Sequence, residues 1–551
     1  MKTFENPASV LHLRNSHTLP EFSQPRVNRA FLLRWVFVLS MAAAFLLIHP
    51  NVTHAQLPPE RPSSLSRQVP QGSGGCSIHA PCAEVAPLII RSALGLSPLA
   101  ENLRILTDVI GGRVSGSPAA DKAVGFAVEA LRNAGVDEVH TEKFTIPVGW
   151  SEGHTHLEVL SPEPFPVRLV SVGWSPPTPE GGITADIVDV GSGDEAGFAK
   201  AGPAAKDSVV LVHSKFLVTW DDLSNEYLEA PGIIDRAQKA GAAGIFWMST
   251  RPNLLLYRHT SSVDGLLEPL PQAIVAREDA ERIARFIAAG VKVHVRWDMP
   301  NIVAGPVESE NVVGEIRGSE DPDEFVLLGA HLDSWELGTG ALDNGCNVAL
   351  VIDAARAIRA SGTIPRRSIR FVLFTGEEQG MLGSEAYAKA HRAELDRMVA
   401  AIILDSGDGQ VTGYSLGGRK DVLPSVRAAL QPVVALGAKD FTLDAELGTD
   451  NFDFLLEGVP TLVANQEPDD YMLNYHAASD TYDKVDIPQL KKNTAIAAVS
   501  AYGLADAEER IGPRQSRPQV EELLQQTGLD KEMKLWGLWS SWENGERGRQ
   551  P

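Results

Sequence analysis

The chain has 551 residues, of which 44% are hydrophobic and 22% are charged, and its formal net charge is -22. This composition is typical of a globular protein with about three domains and excludes a disordered chain. The acidic excess argues against nucleic acid as a partner, because phosphate binding needs a basic surface. We expect most of this acidity to serve solubility.

The first long apolar stretch occupies residues 31–48, follows Arg26 and Arg29, and precedes small residues around Ala55. This pattern predicts a signal peptide within residues 1–55 and therefore a secreted or periplasmic protein. The stretch is also nearly as long as a bilayer span, so an uncleaved membrane anchor is the alternative. Contact with a membrane is expected only in that case.

Residues 56–84 are predicted to form a linker, since their first part is rich in Pro, Ser, Gln and Gly. Cys76 and Cys82 lie at its end. In an oxidising compartment we expect them to form a disulfide that closes a small loop. Two free surface thiols are the alternative.

Regular structure is predicted from residue 85 onward. Apolar spacing indicates helices at 99–110 and 119–134, followed by strands at 139–146 and 156–160. Residues 165–298 differ, because Gly, Pro and Ala separate short β-prone runs. Helices are expected there at 233–240 and 278–289. We predict that 165–298 is an inserted, smaller α/β domain.

Apolar strands then alternate with amphipathic helices. The strands are predicted at 312–316, 325–331, 369–375, 399–404 and 461–464, and the helices at 347–360, 384–394, 424–436, 451–457 and 488–509. This alternation predicts an α/β fold with a mixed, largely parallel sheet covered by helices. The catalytic domain would comprise residues 85–164 and 299–511.

Residues 512–551 are predicted to form a polar tail that contains Trp536, Trp539 and Trp542. These tryptophans either pack on the body of the protein or contact a partner. A homodimer, supported by the tail and the inserted domain, is therefore left open.

Potential metal ligands follow the predicted strands of the second half. The carboxyl ends of parallel strands meet at one edge of a sheet, so these side chains should lie together. Histidine and carboxylate ligands in such a set suit zinc above all. The predicted ligands are His331, Asp343, Glu378, Asp405 and His476.

Five ligands are enough for two zinc ions if one carboxylate bridges them, and we assign Asp343 as the bridge. Two such ions would lower the pKa of a bridging water and stabilise a tetrahedral transition state. Glu377 and Glu378 are consecutive and point differently, so we assign Glu377 as the general base and Glu378 as a ligand. Asp333 is predicted to accept the second N–H of His331 and to fix its tautomer.

These motifs resemble the co-catalytic zinc exopeptidases, a family that includes bacterial secreted aminopeptidases and glutamate carboxypeptidase II. The resemblance covers residues 95–510 approximately. It implies zinc-dependent hydrolysis of short unblocked peptides, and a protease-associated-like apical domain that 165–298 would fit. The segments that carry it are His331-Leu-Asp-Ser, Asp343 after a Gly-rich turn, Gly376-Glu-Glu-Gln-Gly, Asp405 and Tyr475-His476.

The sequence departs from this family in the turn that follows the proposed bridging ligand. Asn344 stands where an acidic residue is expected, and Cys346 and Asn347 stand where Gly or Ser is expected. Asn344 lowers the local negative charge. Cys346 is either a reactive thiol at a helix start or a small packed side chain.

Residues outside the ligand set are predicted to contact the substrate. Tyr475 would donate a hydrogen bond to the oxyanion, with packing as the alternative. Gly448, Thr449 and Asp450 would line the pocket and bind a free terminus, with a helix N-cap as the alternative. Asp450 would suit an aminopeptidase, and Arg419 or Lys420 a carboxypeptidase. A single-zinc cyclotransferase and a non-catalytic, receptor-like homologue are the alternatives to a di-zinc peptidase.

Overall fold

A computed structural model describes residues 82–550. The predicted signal peptide or anchor in 1–55 and nearly all of the linker lie outside the described residues. The division of the remaining chain into a catalytic domain and an inserted domain stays a prediction.

The helices are α1 (Cys82–Leu94), α2 (Leu99–Arg104), α3 (Pro118–Asn133), α4 (Glu195–Ala201), α5 (Trp220–Ala240), α6 (Arg277–Ala288), α7 (Cys346–Ala360), α8 (Leu382–Ala390), α9 (Leu423–Ala429), α10 (Asn451–Leu456), α11 (Tyr471–Asn474), α12 (Ile487–Asp506), α13 (Arg517–Thr527), α14 (Leu529–Leu535) and α15 (Trp539–Glu543).

The strands of the first half are β1 (Glu138–Ile146), β2 (Gly149–Ser151), β3 (His156–Ser161), β4 (Phe165–Val167), β5 (Leu169–Ser171), β6 (Ile183–Asp189), β7 (Val209–Val212), β8 (Gly244–Met248), β9 (Gln272–Val275) and β10 (His294–Asp298). Those of the second half are β11 (Ile302–Ala304), β12 (Val307–Ile316), β13 (Asp321–His331), β14 (Arg367–Phe374), β15 (Met398–Ile403), β16 (Val411–Ser415), β17 (Asp440–Thr442) and β18 (Thr461–Gln466).

One eight-stranded sheet has the order β1-β12-β14-β13-β15-β18-β16-β17. Its centre, from β14 to β18, is parallel, whereas β12 and β16 pair antiparallel with their inner neighbours. Alternate residues of β13 enter two different cores: Val326 and Leu328 face α7 and α12, and Leu327 faces α8. Helices therefore cover both faces, and the predicted α/β class with a mixed sheet is confirmed.

A second eight-stranded sheet, of order β4-β3-β10-β6-β7-β8-β9-β5, is formed by residues 156–298. Helix α5 packs there and is much longer than the helix predicted at 233–240. It begins with a capping box between Thr219 and Asp222. Pro231 and Gly232 interrupt its apolar pattern, which explains the short prediction. The missed first half of α5 carries side chains that reach the candidate site.

The C-terminal residues 517–543 form three short helices with an apolar core, although their composition is polar. Met533 and Trp542 are buried against Phe452 of α10. The buried guanidinium of Arg547 makes two hydrogen bonds to Asp453, at 2.8 and 2.9 Å. The tail is thus held on the body of the protein by burial and by a paired internal charge.

The described chain begins in α1, where the Cys82 N–H donates to Asp506. Cys82 has no disulfide partner among the described residues, and Cys76 lies outside them, so the predicted bridge stays a prediction. Within 82–550, no single helix has the length and apolarity needed to cross a membrane. One bent pair, Cys82–Leu94 with Leu99–Ile110, meets these criteria when its two helices are taken together.

Candidate metal centre

Two groups of potential metal ligands lie at the carboxyl ends of the parallel strands and share one carboxylate. The first comprises His331, Asp343 and Asp405, and the second comprises Asp343, Glu378 and His476. Within each group the ligand atoms lie within 4.8 Å of one another. The fold therefore brings all five predicted ligands together, and Asp343, the predicted bridge, belongs to both groups.

His331 ends β13 and points its Nε2 atom into the first group. This atom lies 2.9 Å from Asp405 Oδ1 and 3.2 Å from Asp343 Oδ1. Its Nδ1 atom is 3.1 Å from the main-chain carbonyl of Asp333, and the Asp333 carboxylate is farther away, at 3.5 Å. The carbonyl oxygen is thus the nearer orienting partner, whereas the prediction assigned this role to the carboxylate.

The Asp333 carboxylate has a different set of partners. It accepts hydrogen bonds from the Ser115 hydroxyl and from the N–H of Gly376, both at 3.0 Å, and a longer one from the Glu377 N–H. Ser115 also accepts the Gly376 N–H, at 2.7 Å. Asp333 therefore fixes the loop that carries Glu377 and Glu378.

His476 is oriented by Arg258, which precedes it by 218 residues in the sequence. Its Nε2 atom lies 2.9 Å from Glu378 and 3.2 Å from Asp343. Its Nδ1 atom lies 3.0 Å from the carbonyl of Arg258, whose N–H donates to the His476 carbonyl at 2.8 Å. These bonds hold His476 at φ +57°, a left-handed conformation that costs about 1–2 kcal/mol.

The shared ligand Asp343 lies in a turn that is held from two sides. The Asp480 carboxylate accepts the N–H groups of Leu342 and Asp343, at 2.7 and 3.2 Å. On the other side Asn344 donates to the Leu404 carbonyl at 2.9 Å, next to Asp405. The neutral residue at position 344 thus joins the turn to the end of β15.

The five residues fit a pair of divalent ions. Because both Nδ1 atoms face carbonyl oxygens, each histidine in its neutral form would carry its proton on Nδ1 and present the Nε2 lone pair to a cation. The buried Glu378 Oε1 atom has no hydrogen-bond partner among the described residues. A cation would satisfy this oxygen, because buried carboxylates need a charged or hydrogen-bonding partner.

The electrostatics of the centre reflect this crowding of carboxylates. Burial lowers the pKa of His331, but nearby Asp405 and Glu377 outweigh it and hold the pKa well above its ordinary value. The pKa of His476 rises to about 9, because Glu378 and Asp343 outweigh burial in the same way. The site therefore attracts positive charge strongly, whether it arrives as protons or as metal ions.

A cavity of about 620 Å³ opens beside the ligands. Its lining includes Glu377, Glu378, Asp405 and Tyr475. Gly448 and Thr449, which were predicted to line the pocket, also belong to the lining. A volume of this size accommodates a small ligand such as a short peptide.

Asp450, Arg419 and Lys420 do not lie in the cavity, where the prediction placed them. Asp450 is not among the residues that line the cavity. It occupies the N-cap position of α10 without a capping hydrogen bond, is fully buried, and burial raises its pKa well above the ordinary value. Arg419 is buried in an ion pair with Asp421 at 2.7 Å, away from the cavity, and Lys420 is exposed.

Tyr475 lies on the cavity wall and stacks on His476, with ring centroids 3.6 Å apart. Its hydroxyl is 2.9 Å from that of Tyr227, which comes from the first half of α5. One of the two phenols donates to the other, so one proton of the pair is free to be donated into the cavity. Tyr475 therefore packs on His476 and can also take part in hydrogen bonding at the cavity.

Cys346 is a packed side chain. It is fully buried, its thiol donates to the Leu342 carbonyl at 3.3 Å, and burial raises its pKa well above the ordinary value. A thiol that is neither accessible nor ionised is unreactive.

Fold and site together define a metallopeptidase. The model of peptidase family M28 matches residues 311–501. Carboxypeptidase Q of Mus musculus is 31% identical over 417 residues, which cover 75% of this chain and 86% of that protein. A peptidase M28 precursor from Shewanella amazonensis SB2B has a solved structure with a TM-score of 0.71 and 29% identity, covering 79% of this chain and 99% of that one.

A zinc aminopeptidase from Bacillus subtilis, 20% identical, shares the fold with a TM-score of 0.60, covering 76% of this chain and 97% of that one. The chain belongs to peptidase family M28.

Several residues that build the site were not identified from the sequence. Asp480 and Ser115 lie in segments that the resemblance includes, but their side chains act on ligand loops far away in sequence. Arg258 contacts His476 through its main chain, and the type of side chain at a position does not reveal such a contact. Tyr227 lies in the half of α5 that the periodicity missed.

Proposed function

We propose that this protein is a zinc-dependent exopeptidase that hydrolyses short unblocked peptides, with two zinc ions and Glu377 as general base. The observation that carries the proposal is the pair of ligand groups that share Asp343 beside the cavity. Two imidazoles and three carboxylates suit zinc, and two groups favour two ions over the single ion of a cyclotransferase.

When bound, zinc would polarise the scissile carbonyl and lower the pKa of the attacking water. Glu377 lines the cavity at the ligand groups, and the bond from its N–H to Asp333 fixes the loop that carries it. Its carboxylate would take the proton from the water and deliver it to the leaving amine. Tyr475, supported by Tyr227, would donate a hydrogen bond to the developing oxyanion.

Substitution of the two adjacent glutamates tests these roles. Glu377→Gln should lower kcat by several orders of magnitude and leave the zinc content at two per chain, because it removes a base and no ligand. Glu378→Gln is the matched control: the same change one residue later should lower zinc content as well as turnover. Zinc is measured by mass spectrometry and hydrolysis with a dipeptide panel.

A Glu377→Gln variant with near wild-type activity would refute the assigned base. Fully zinc-loaded wild-type protein that hydrolyses no dipeptide would instead support the receptor-like alternative. One ion per chain at saturation would favour the cyclotransferase.

A further inference from the structure

The walls of the cavity beyond the metal ligands carry negative charge from three separate parts of the chain. The described residues that line the cavity include several carboxylates but no Lys, Arg or His. Four of them lie outside the metal centre: Asp221 at the start of α5, Asp444 and Glu446 before α10, and Glu532 in α14. None of these four forms an ion pair within 82–550.

Two of these carboxylates, Glu446 and Glu532, have a raised pKa. Desolvation by the surrounding protein, with Asp444 and Asp405 nearby, raises the pKa of Glu446 to about 7, although the residue remains exposed to solvent. Partial burial alone raises the pKa of Glu532. Neither carboxylate has a compensating positive charge among the described residues, so a cation bound beside it would favour its charged form.

Neutral polar side chains of the same cavity offer acceptor oxygens. Thr449 is 6% exposed, and its hydroxyl lies beside the Asp405 carboxylate. Gln466 is 8% exposed, donates through Nε2 to the Gly407 carbonyl, and leaves Oε1 without a partner. Both side chains line the cavity and present acceptor oxygens, which match the N–H donors of an ammonium or guanidinium group.

The apolar part of the cavity suits the stem of a long basic side chain. Trp220 and Trp536 contribute aromatic surface, and Leu228 and Leu447 contribute aliphatic surface. Lysine and arginine bury their methylene stems on such surfaces while their charged ends meet carboxylates or aromatic faces. Trp536 also contacts Tyr227, with ring centroids 5.6 Å apart, so the C-terminal helices complete the wall beside α5.

We propose that this cavity is a subsite for a cationic group of the peptide, an ammonium or a guanidinium, with Glu446 and Glu532 as specificity-determining residues. The inference rests on the proposed peptidase function and names its substrate class. The cation is carried either by a lysine or arginine side chain or by the free α-amino group. None of the described residues that line the cavity offers a positive charge for a free α-carboxylate.

The test uses zinc-loaded enzyme and dipeptide pairs in which lysine is compared with norleucine, at the first and at the second position, against alanine. The two side chains have equal carbon chains and differ by the terminal ammonium. The variants are Glu446→Gln and Glu532→Gln. Glu521→Gln, on the neighbouring helix α13 and outside the cavity, is the matched control.

If the subsite binds the side chain, wild-type kcat/KM should favour lysine at one position by about tenfold or more, since a charge-assisted hydrogen bond changes an equilibrium by about 10- to 100-fold. Glu446→Gln and Glu532→Gln should remove this preference and leave norleucine peptides within twofold. If it binds the α-amino group, both variants should weaken both substrates equally, and N-acetylation should abolish cleavage. Equal cleavage of both series, unchanged in both variants and after N-acetylation, would overturn the proposal.

Calorimetric binding of L-lysinol and L-norleucinol, which contain no hydrolysable bond, separates this proposal from the proposed function. Tighter binding of lysinol, lost in Glu446→Gln and kept in Glu521→Gln, would support the side-chain subsite even if no peptide were hydrolysed. Equal weakening of both amino alcohols in Glu446→Gln would support the α-amino group. Binding of both that is unaffected by Glu446→Gln and Glu532→Gln would overturn the subsite even in an active peptidase.

Discussion

Replacing Glu268 with glutamine should stabilise the protein at alkaline pH and have little effect at acidic pH. Glu268 is 7% exposed and lies between β8 and β9. Its Oε2 atom accepts one bond from Gln272 at 3.2 Å, and its Oε1 atom has no partner among the described residues. Burial, with a smaller contribution from Asp264, raises its pKa from the ordinary 4.5 to about 7.

The sign and the size of the effect follow from this shift. Well below pH 4.5 the Glu268 carboxyl is protonated in the folded and in the unfolded state, so it does not lower the free energy of unfolding. As pH rises from 4.5 to 7 the unfolded chain ionises first, so the folded state loses stability relative to it. Each pKa unit corresponds to about 1.4 kcal/mol, so the cost is about 1 kcal/mol at pH 5 and about 3 kcal/mol above pH 7.

Urea unfolding of wild type and Glu268→Gln at pH 5 and pH 8 measures this cost, because effects of pH on the rest of the protein cancel in the difference. The variant should gain about 2–3 kcal/mol more at pH 8 than at pH 5. Exposed Glu180→Gln is the control and should show no such difference. An equal effect of Glu268→Gln at both pH values would refute the reasoning.

The remaining predictions concern the metal centre and the phenol pair. Asp343→Ala should lose both zinc ions, because its carboxylate belongs to both ligand groups, whereas Asp405→Ala should retain about one; equal retention in the two variants, by metal analysis, would contradict the shared role. Tyr475→Phe should lower kcat about a hundredfold with little change in KM or zinc content, since oxyanion donors contribute on this scale. Tyr227→Phe should lower kcat by a smaller factor. An unchanged kcat in Tyr475→Phe would show that Tyr475 contributes only by packing.

The sequence by itself determined the central sheet and predicted the residues of the two potential ligand groups. Apolar runs separated by amphipathic helices indicate buried parallel strands, and the carboxyl ends of such strands meet at one edge. His331, Glu378 and Asp405 each lie at or after the end of a strand of the parallel centre, so their proximity could be predicted from order alone. Asp343 was predicted as the bridge, and in the structure it belongs to both groups of potential ligands.

Only the tertiary structure decided what surrounds these ligands. The partners of the histidines are main-chain carbonyls, and a carbonyl is present at every residue, so no side-chain pattern reveals which one is used. Arg258 and Tyr227 contact His476 and Tyr475, which lie more than two hundred residues later in the sequence. Glu532 comes from a tail whose polar composition gives no sign of its packed helices. Local periodicity carries no information about such contacts, which depend on how whole elements pack.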